Sequence, residues 1–272
     1  MCETCGCGAE ATLEDEHTHT LPDGTVIRHV HEHGHAHPGT HTHGGAQGGV
    51  SSERQREIAL EAQILQKNAL LAARNRGWFD GRGVFAVNVM SSPGSGKTTL
   101  LEKTLRALLE KGQSVVVLEG DQETTRDAER IRATGAPALQ INTGKGCHLE
   151  ADMVLRGTEA LAPAAGSTLF IENVGNLVCP ALFDLGEHAR VVLFSVTEGE
   201  DKPLKYPHMF QIADLVLLTK TDLIPHLDFS LGAALDAIRN VQPKAQILEI
   251  SARSGAGMDA WLTWLGARVA SR

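Results

Sequence analysis

Three groups of residues in this chain have the types and spacing to do chemistry. The first is Ser91-Ser92-Pro93-Gly94-Ser95-Gly96-Lys97-Thr98-Thr99, set between the apolar run Val84-Phe85-Ala86-Val87-Asn88-Val89-Met90 and a leucine-bearing stretch. A glycine-rich turn between a strand and a helix points backbone N–H groups inward at the helix N-terminus, where they cradle phosphate. Gly94, Ser95, Gly96, Lys97, Thr98 and Thr99 are therefore expected to bind the phosphates, with the Lys97 ammonium on the terminal ones and the Thr98 hydroxyl on Mg²⁺. Ser91 stands where the usual pattern has its first glycine, so the turn must begin in a conformation open to a residue with a Cβ. The second group is a pair of carboxylates, Asp121 after Val115-Val116-Val117-Leu118 and Glu172 after Thr168-Leu169-Phe170-Ile171. Acids at strand ends bind Mg²⁺ directly or through its waters and orient an attacking water, so Lys97, Asp121 and Glu172 are the catalytic candidates. Gly175, three residues beyond Glu172, offers its N–H to a γ-phosphate, and no residue is nominated as a catalytic base.

The third group is sulfur and imidazole. Cys2, Cys5 and Cys7 place three soft thiolates within six residues, and the chain's terminal amine is placed to complete a four-coordinate set. Thiolates with an amine impose a square-planar field that Ni²⁺ favours over Zn²⁺. Nine of the 13 histidines lie between His17 and His43, a composition suited to weaker nickel or zinc buffering. Cys147 and His148 follow Asn142-Thr143-Gly144-Lys145-Gly146, and Cys179 lies a few residues after Gly175. A metal held by Cys147, His148 and Cys179 would sit beside the γ-phosphate sensor and could feel which nucleotide is bound.

The base is read from Thr219-Lys220-Thr221-Asp222, at the end of Asp214-Leu215-Val216-Leu217-Leu218. It resembles the Asn-Lys-x-Asp element of GTPases, in which the Asp carboxylate accepts from guanine and the Lys stem covers the ring. Adenine would leave that carboxylate unpaired, so GTP is expected over ATP. Thr219 in place of Asn removes an amide that usually braces the phosphate loop. Ser251 and Ala252, after Ile247-Leu248-Glu249-Ile250, fall where GTPases supply a backbone donor to the guanine oxygen.

Positioning these groups requires an ordered sheet, and the apolar runs provide one. Short unalternating runs near 84–90, 115–119, 138–141, 168–172, 190–196, 214–219 and 246–250 read as strands of a parallel sheet covered on both faces. Helical patterns near 97–111, 123–134, 148–160, 230–240 and 258–270 supply the crossovers, giving a three-layer α/β fold of the P-loop NTPase type with ligands at the C-terminal strand ends. An amphipathic helix over 51–76, opened by Ser51-Ser52-Glu53 and stopped by Gly77, precedes it. Residues 1–50 carry seven acids against Arg28 alone and few large apolar side chains, so they are expected to be a disordered Cys/His-rich metal-binding tail, with order touched only around Leu21 to Val30. Domain organisation is then a tail over 1–50 and a nucleotide-binding domain over 51–272.

A formal charge of −8 over 272 residues argues against nucleic-acid or anionic-membrane partners. No run approaches the roughly 18 apolar residues of a membrane span, and the polar start is unlike an export signal. A cytoplasmic protein with its five cysteines reduced is expected.

Taken together, the chain resembles the hydrogenase nickel-insertion GTPase family, HypB, of the SIMIBI class of P-loop proteins. The resemblance rests on the Cys2 to Cys7 cluster, the His-rich segment, the phosphate loop, Gly120-Asp121-Gln122-Glu123-Thr124, Gly146-Cys147-His148-Leu149, Glu172 through Pro180, and Glu198-Gly199-Glu200-Asp201-Lys202-Pro203. It implies a tight nickel site at the terminal cysteines and a weaker nickel or zinc site at Cys147, His148 and Cys179. It further implies slow GTP hydrolysis to GDP, a GTP-dependent homodimer sharing the second metal site, a HypA-type nickel chaperone as partner and the [NiFe]-hydrogenase large subunit precursor as recipient. A urease-accessory nickel GTPase is a relative, but its Cys-Pro-His motif differs from the adjacent Cys147 and His148. A nickel store with a vestigial nucleotide site is disfavoured by the intact Lys97, Thr98, Asp121 and Asp222, and an ATP-dependent kinase by Asp222.

Overall fold

Strands whose hydrophobic residues do not alternate with polar ones must be covered on both faces, and the structure meets that requirement with helices. The computed structural model describes residues 16–20, 26–30, 52–121, 126–144 and 146–271. The chain divides into two units, Met1–Gln63 and Ile64–Arg272.

In the first unit β1 (Glu16–Thr20) pairs antiparallel with β2 (Val26–Val30), His17 opposite His29. The expectation that order is confined to the stretch around Leu21 to Val30 is corrected, since the strand pairing of Val26–Val30 extends order to Glu16–Thr20; the other expectations for 1–50, including the Cys2, Cys5 and Cys7 cluster, lie outside the described residues.

Helix α1 runs over Ser52–Arg82 and so continues past the expected stop at Gly77. A glycine inside a helix costs about 1 kcal/mol relative to alanine, which packing readily outweighs. Here the Asn75 amide donates to the carbonyls of Ala151 (2.8 Å) and Leu185 (3.0 Å), and Phe79 is buried. The helix ends where Gly83 takes φ +63° and the Val84 N–H turns back to the Phe79 carbonyl at 2.9 Å.

The second unit is built on β3 (Phe85–Ser91), β4 (Val115–Asp121), β5 (Ala138–Asn142), β6 (Thr168–Glu172), β7 (Ala189–Ser195), β8 (Leu215–Thr219) and β9 (Gln246–Ile250). They form a seven-stranded sheet in the order β5-β4-β6-β3-β7-β8-β9, with every neighbouring pair parallel. Each expected strand is present within a residue or two. β3 lies at the centre, buried along its whole length, with β6 on one side and β7 on the other. This is the point at which successive connections leave in opposite directions, and it opens the crevice where α/β proteins bind ligands.

One face is covered by α2 (Lys97–Glu110), α3 (Arg126–Arg132) and α8 (Met258–Ala270), whose Leu101, Leu105, Ile131 and Trp261 join Val87, Val117 and Phe170 in a single core. Trp261 is wholly buried yet satisfied, its indole N–H donating to Thr104 Oγ1 at 2.8 Å. The opposite face holds α4 (Ala151–Leu161) and α7 (Leu231–Val241), through Val154 and through Ala234 with Ile238. Two short helices escape the periodicity argument: α5 (Lys202–Lys205) and α6 (Pro207–Gln211). Each is too brief for a 3.6-residue repeat, and Pro203 and Pro207, acceptable in a first helical turn, read from sequence as breakers.

Candidate functional site: a phosphate cavity joined to a thiol cluster

The phosphate loop leaves β3 at Ser91 and enters α2 at Lys97. Gly94 (φ +73°) and Gly96 (φ +97°) occupy left-handed backbone that a side chain would strain, which is why glycine stands at both. Ser91 is buried and ends the strand, and its hydroxyl accepts from Lys97 Nζ at 2.9 Å. The departure from glycine thus gives the lysine an oxygen partner. Burial pulls the Lys97 pKa down, an effect opposed by the nearby Glu172 carboxylate.

The cavity in front of this loop is lined by Gly94, Gly96, Lys97, Thr98, Thr99, Asp121, Glu172 and Gly175. Every phosphate-side residue expected from sequence except Ser95 is on its wall. Ser95 instead braces the loop from behind, its hydroxyl lying 2.7 Å from Glu198 Oε1. Thr219 Oγ1 donates to the Ser95 carbonyl at 2.9 Å, so the expected loss of a loop brace at the Thr219 position is corrected: a hydroxyl does the bracing. Thr98 Oγ1 donates to Glu172 Oε1 at 2.8 Å, while Glu172 Oε2 is buried with no hydrogen-bond partner among the described residues. Burial pushes the Glu172 carboxyl up to about 7 despite Lys97. A hydroxyl, a buried carboxylate with a spare oxygen and Asp121 at the cavity wall form the hard oxygen set that suits Mg²⁺.

Residues without a sequence-assigned role also line this cavity. Glu119, almost wholly buried, has its carboxyl pushed up to about 8 by burial, with the Glu172 and Asp121 charges adding to it. Its signal in the sequence is the break it makes in the buried Val115, Val117 row. Arg130 reaches the same wall from α3, its guanidinium donating to Glu102 Oε2 at 2.7 Å and to Thr99 Oγ1 at 3.1 Å.

At the far ends of β8 and β9, Lys220 adopts φ +60°, and the Asp222 carboxylate accepts from Ser251 Oγ at 2.6 Å. Non-glycine residues in that backbone region are uncommon and concentrate at functional turns. Ala252 follows directly, so Thr219, Lys220, Asp222, Ser251 and Ala252 are brought together on one side of the phosphate loop.

The loop leaving β6 connects the cavity to the thiols. Gly175 lies against the phosphate loop so closely that an added Cβ would meet Pro93 Cα at 3.0 Å. Four residues later Cys179 opens a 3₁₀ turn over Cys179–Ala181. Its Sγ is 2.8 Å from Cys147 Sγ, and Cys147 Sγ is 3.7 Å from His148 Nδ1. The ligand atoms of Cys147, His148 and Cys179 lie within 4.8 Å of one another. His148 is buried against Phe183 at 4.0 Å between ring centroids, and its Nε2 has no hydrogen-bond partner among the described residues. The contact between the sulfurs lowers the Cys147 pKa and raises that of Cys179, one thiol donating to the other's thiolate. Two thiols and an imidazole make a soft to borderline donor set, suited to nickel or zinc.

Asn173, also unassigned from sequence, ties the two sites. Its buried carboxamide oxygen accepts from the N–H groups of Val174 (3.0 Å) and of Leu149 (3.2 Å), the residue after His148, while its nitrogen donates to Asn88 Oδ1 on β3 at 3.3 Å.

Among the described residues no helix is long and apolar enough to cross a membrane.

The family model described as "CobW/HypB/UreG, nucleotide-binding domain" matches residues 85–249. The hydrogenase maturation factor HypB of Rhizobium leguminosarum bv. viciae is 51% identical over 100% of this chain and 98% of its own length. That of Escherichia coli (strain K12) is 47% identical over 97% of this chain and 98% of its own. Among solved structures, HypB from Helicobacter pylori in complex with nickel aligns with TM-score 0.70 at 39% identity, covering 75% of this chain and 96% of that one. HypB from Archaeoglobus fulgidus aligns with TM-score 0.70 at 37% identity, covering 75% and 99%. On the family model and these near full-length relatives, the chain belongs to the HypB family of hydrogenase maturation factors, P-loop proteins of the CobW/HypB/UreG group.

Proposed function

We propose that this protein is a GTP-hydrolysing nickel metallochaperone that stores Ni²⁺ and delivers it to the [NiFe]-hydrogenase large subunit precursor. The observation that carries the reading is one loop, which has Glu172 and Gly175 at the phosphate cavity and Cys179 at the thiol cluster. Family membership supports it, as does the nickel bound by the Helicobacter pylori relative.

In this reading the backbone of Gly94, Ser95 and Gly96 and the Lys97 ammonium hold the β- and γ-phosphates of GTP. Asp222 accepts from guanine, with Lys220 over the ring and the Ser251-Ala252 backbone on the guanine oxygen. Thr98, Asp121 and Glu172 would hold Mg²⁺, which supplies charge neutralisation at the phosphates. Glu172 orients the attacking water, and the Gly175 N–H meets the γ-phosphate. Loss of that phosphate relaxes the 172–179 loop and with it Cys179, so that hydrolysis, slow on its own, gates the ion held by Cys147, His148 and Cys179. Three ligands leave coordination positions that a second copy completes in a GTP-dependent homodimer, and Zn²⁺ is an alternative occupant.

Cys2, Cys5 and Cys7 form the tight nickel site, served by a HypA-type nickel chaperone, in a cytoplasmic protein with no nucleic-acid or membrane partner.

The test is calorimetric titration of the full chain with Ni²⁺ and Zn²⁺, loaded first with GDP and then with a non-hydrolysable GTP analogue. The reading expects ion affinity at the domain site and sedimentation mass to differ between the two states. Identical affinity in both, in monomer and dimer alike, would end it.

A further inference from the structure

Side chains alternate along a strand, so Val115, Val117, Glu119 and Asp121 share one face of β4. The register sets Val117 opposite Phe170 and Glu119 opposite Glu172 on β6. Val115, Val117 and Phe170 belong to the core beneath α2, and Glu119 therefore takes the next rung of an apolar row. It is only 2% exposed, and its Oε2 has no hydrogen-bond partner among the described residues, nor has Oε2 of Glu172 beside it. Removing a carboxylate from water without a partner is costly, and a second one on the adjacent strand adds repulsion. A leucine or valine would suit the fold better. Both acids border the phosphate cavity, with Lys97, Thr98 and Asp121, so the group that would satisfy them lies on the cavity side.

We propose that Glu119 is a positioning residue for the divalent cation that accompanies the guanine nucleotide, its carboxylate accepting hydrogen bonds from the cation's water ligands. This rests on the GTP-binding reading above and assigns a further residue to it. Glu119 sits two residues below Asp121 on the strand, roughly 6.6 Å deeper in the sheet. Set back from Asp121, and with Glu172 on the same rung already joined to Thr98, it is placed for contact through water rather than for direct ligation. Metals are commonly tuned by such outer partners, whose loss weakens affinity about 10- to 100-fold. GTP offers the cation oxygens from two phosphates, whereas GDP has lost one of them. The outer carboxylate therefore matters more after hydrolysis, when it keeps cation and GDP in place.

The experiment follows release of a fluorescent GDP analogue from the full-length protein across a series of Mg²⁺ concentrations and in EDTA. In E119Q the Mg²⁺ concentration that half-maximally slows release rises about 10- to 100-fold, and the rate in EDTA stays at the parent value. The shift is smaller with a non-hydrolysable GTP analogue. E119Q and E119L melt in EDTA no lower than the parent, because the carboxylate is buried and its Oε2 has no hydrogen-bond partner among the described residues. An unchanged Mg²⁺ midpoint, an equally accelerated release in EDTA, or loss of folding in both variants overturns the proposal. A parent protein that binds guanine nucleotide without any Mg²⁺ dependence also overturns it, and a parent that binds none removes the nucleotide reading as well.

Discussion

Replacing Gly175 with alanine adds one methyl group at the place where the loop after β6 meets the phosphate loop. The new Cβ would lie 3.0 Å from Pro93 Cα, 3.1 Å from Pro93 N and 3.2 Å from Pro93 Cγ. All are inside ordinary van der Waals separation, and two of the three atoms are backbone, so the loop itself must withdraw by several tenths of an ångström. In the proposed mechanism the Gly175 N–H donates to the γ-phosphate, and a hydrogen bond to a charged group contributes about 1.5–3 kcal/mol. Its loss converts to about 10- to 150-fold weaker binding of a non-hydrolysable GTP analogue. GDP has no γ-phosphate, and its affinity stays within about twofold of the parent on this scale. Stopped-flow or equilibrium fluorescence with labelled nucleotides measures both. Equal weakening for GTP analogue and GDP would mean that the glycine only supports the phosphate loop. No weakening at all would refute the γ-phosphate contact.

Thr219→Val removes the hydroxyl that donates to the Ser95 carbonyl and leaves that carbonyl buried, at a cost of about 1–2 kcal/mol. Calorimetry should find GDP and GTP analogue weakened alike, by about 5- to 30-fold. In the metal-free protein Cys147, with its lowered pKa, should be alkylated by iodoacetamide near neutral pH well before Cys179, whose pKa is raised. Peptide mass spectrometry reads the order, and a reversed order would contradict the thiolate assignment. Glu172 has a folded pKa of about 7 against 4.5 when unfolded, so the folded state retains a proton that the unfolded state has lost between those values. Nucleotide-free protein in EDTA should lose about 3 kcal/mol of stability as pH rises from about 4.5 to about 7. Urea denaturation of Glu172→Gln should show a correspondingly flatter dependence, and an identical slope would place the titration elsewhere.

The strand positions were legible because each run is short, largely apolar without strict alternation and bounded by glycine or a polar turn, the pattern of a doubly covered sheet. The phosphate loop was legible for a related reason, since its chemistry needs fixed residue types at fixed spacing. Gly77 misled because helix propensity is local, whereas the contacts of Asn75 that carry α1 onward reach Ala151 and Leu185, far away in sequence. The service of Ser91 to Lys97 and of Thr219 to Ser95 depends on how loops fold back on one another, which no spacing reveals. Glu119 and Asn173 remained unassigned because their meaning lies in a rung pairing across strands and in two backbone donors 24 and one residues away.

The Asn173 carboxamide has a consequence for timing. In the proposed function, an ion settling between the sulfurs and a phosphate arriving at the cavity would act on opposite sides of one fixed amide. Thermodynamic linkage is symmetric: whatever factor the nucleotide applies to nickel affinity, nickel returns to nucleotide affinity. If the proposed coupling holds, a chain carrying cargo and an empty one saturate with guanosine triphosphate at different concentrations. Metal scarcity in the cell would be registered as a change in the fuelled fraction before any recipient enzyme is encountered.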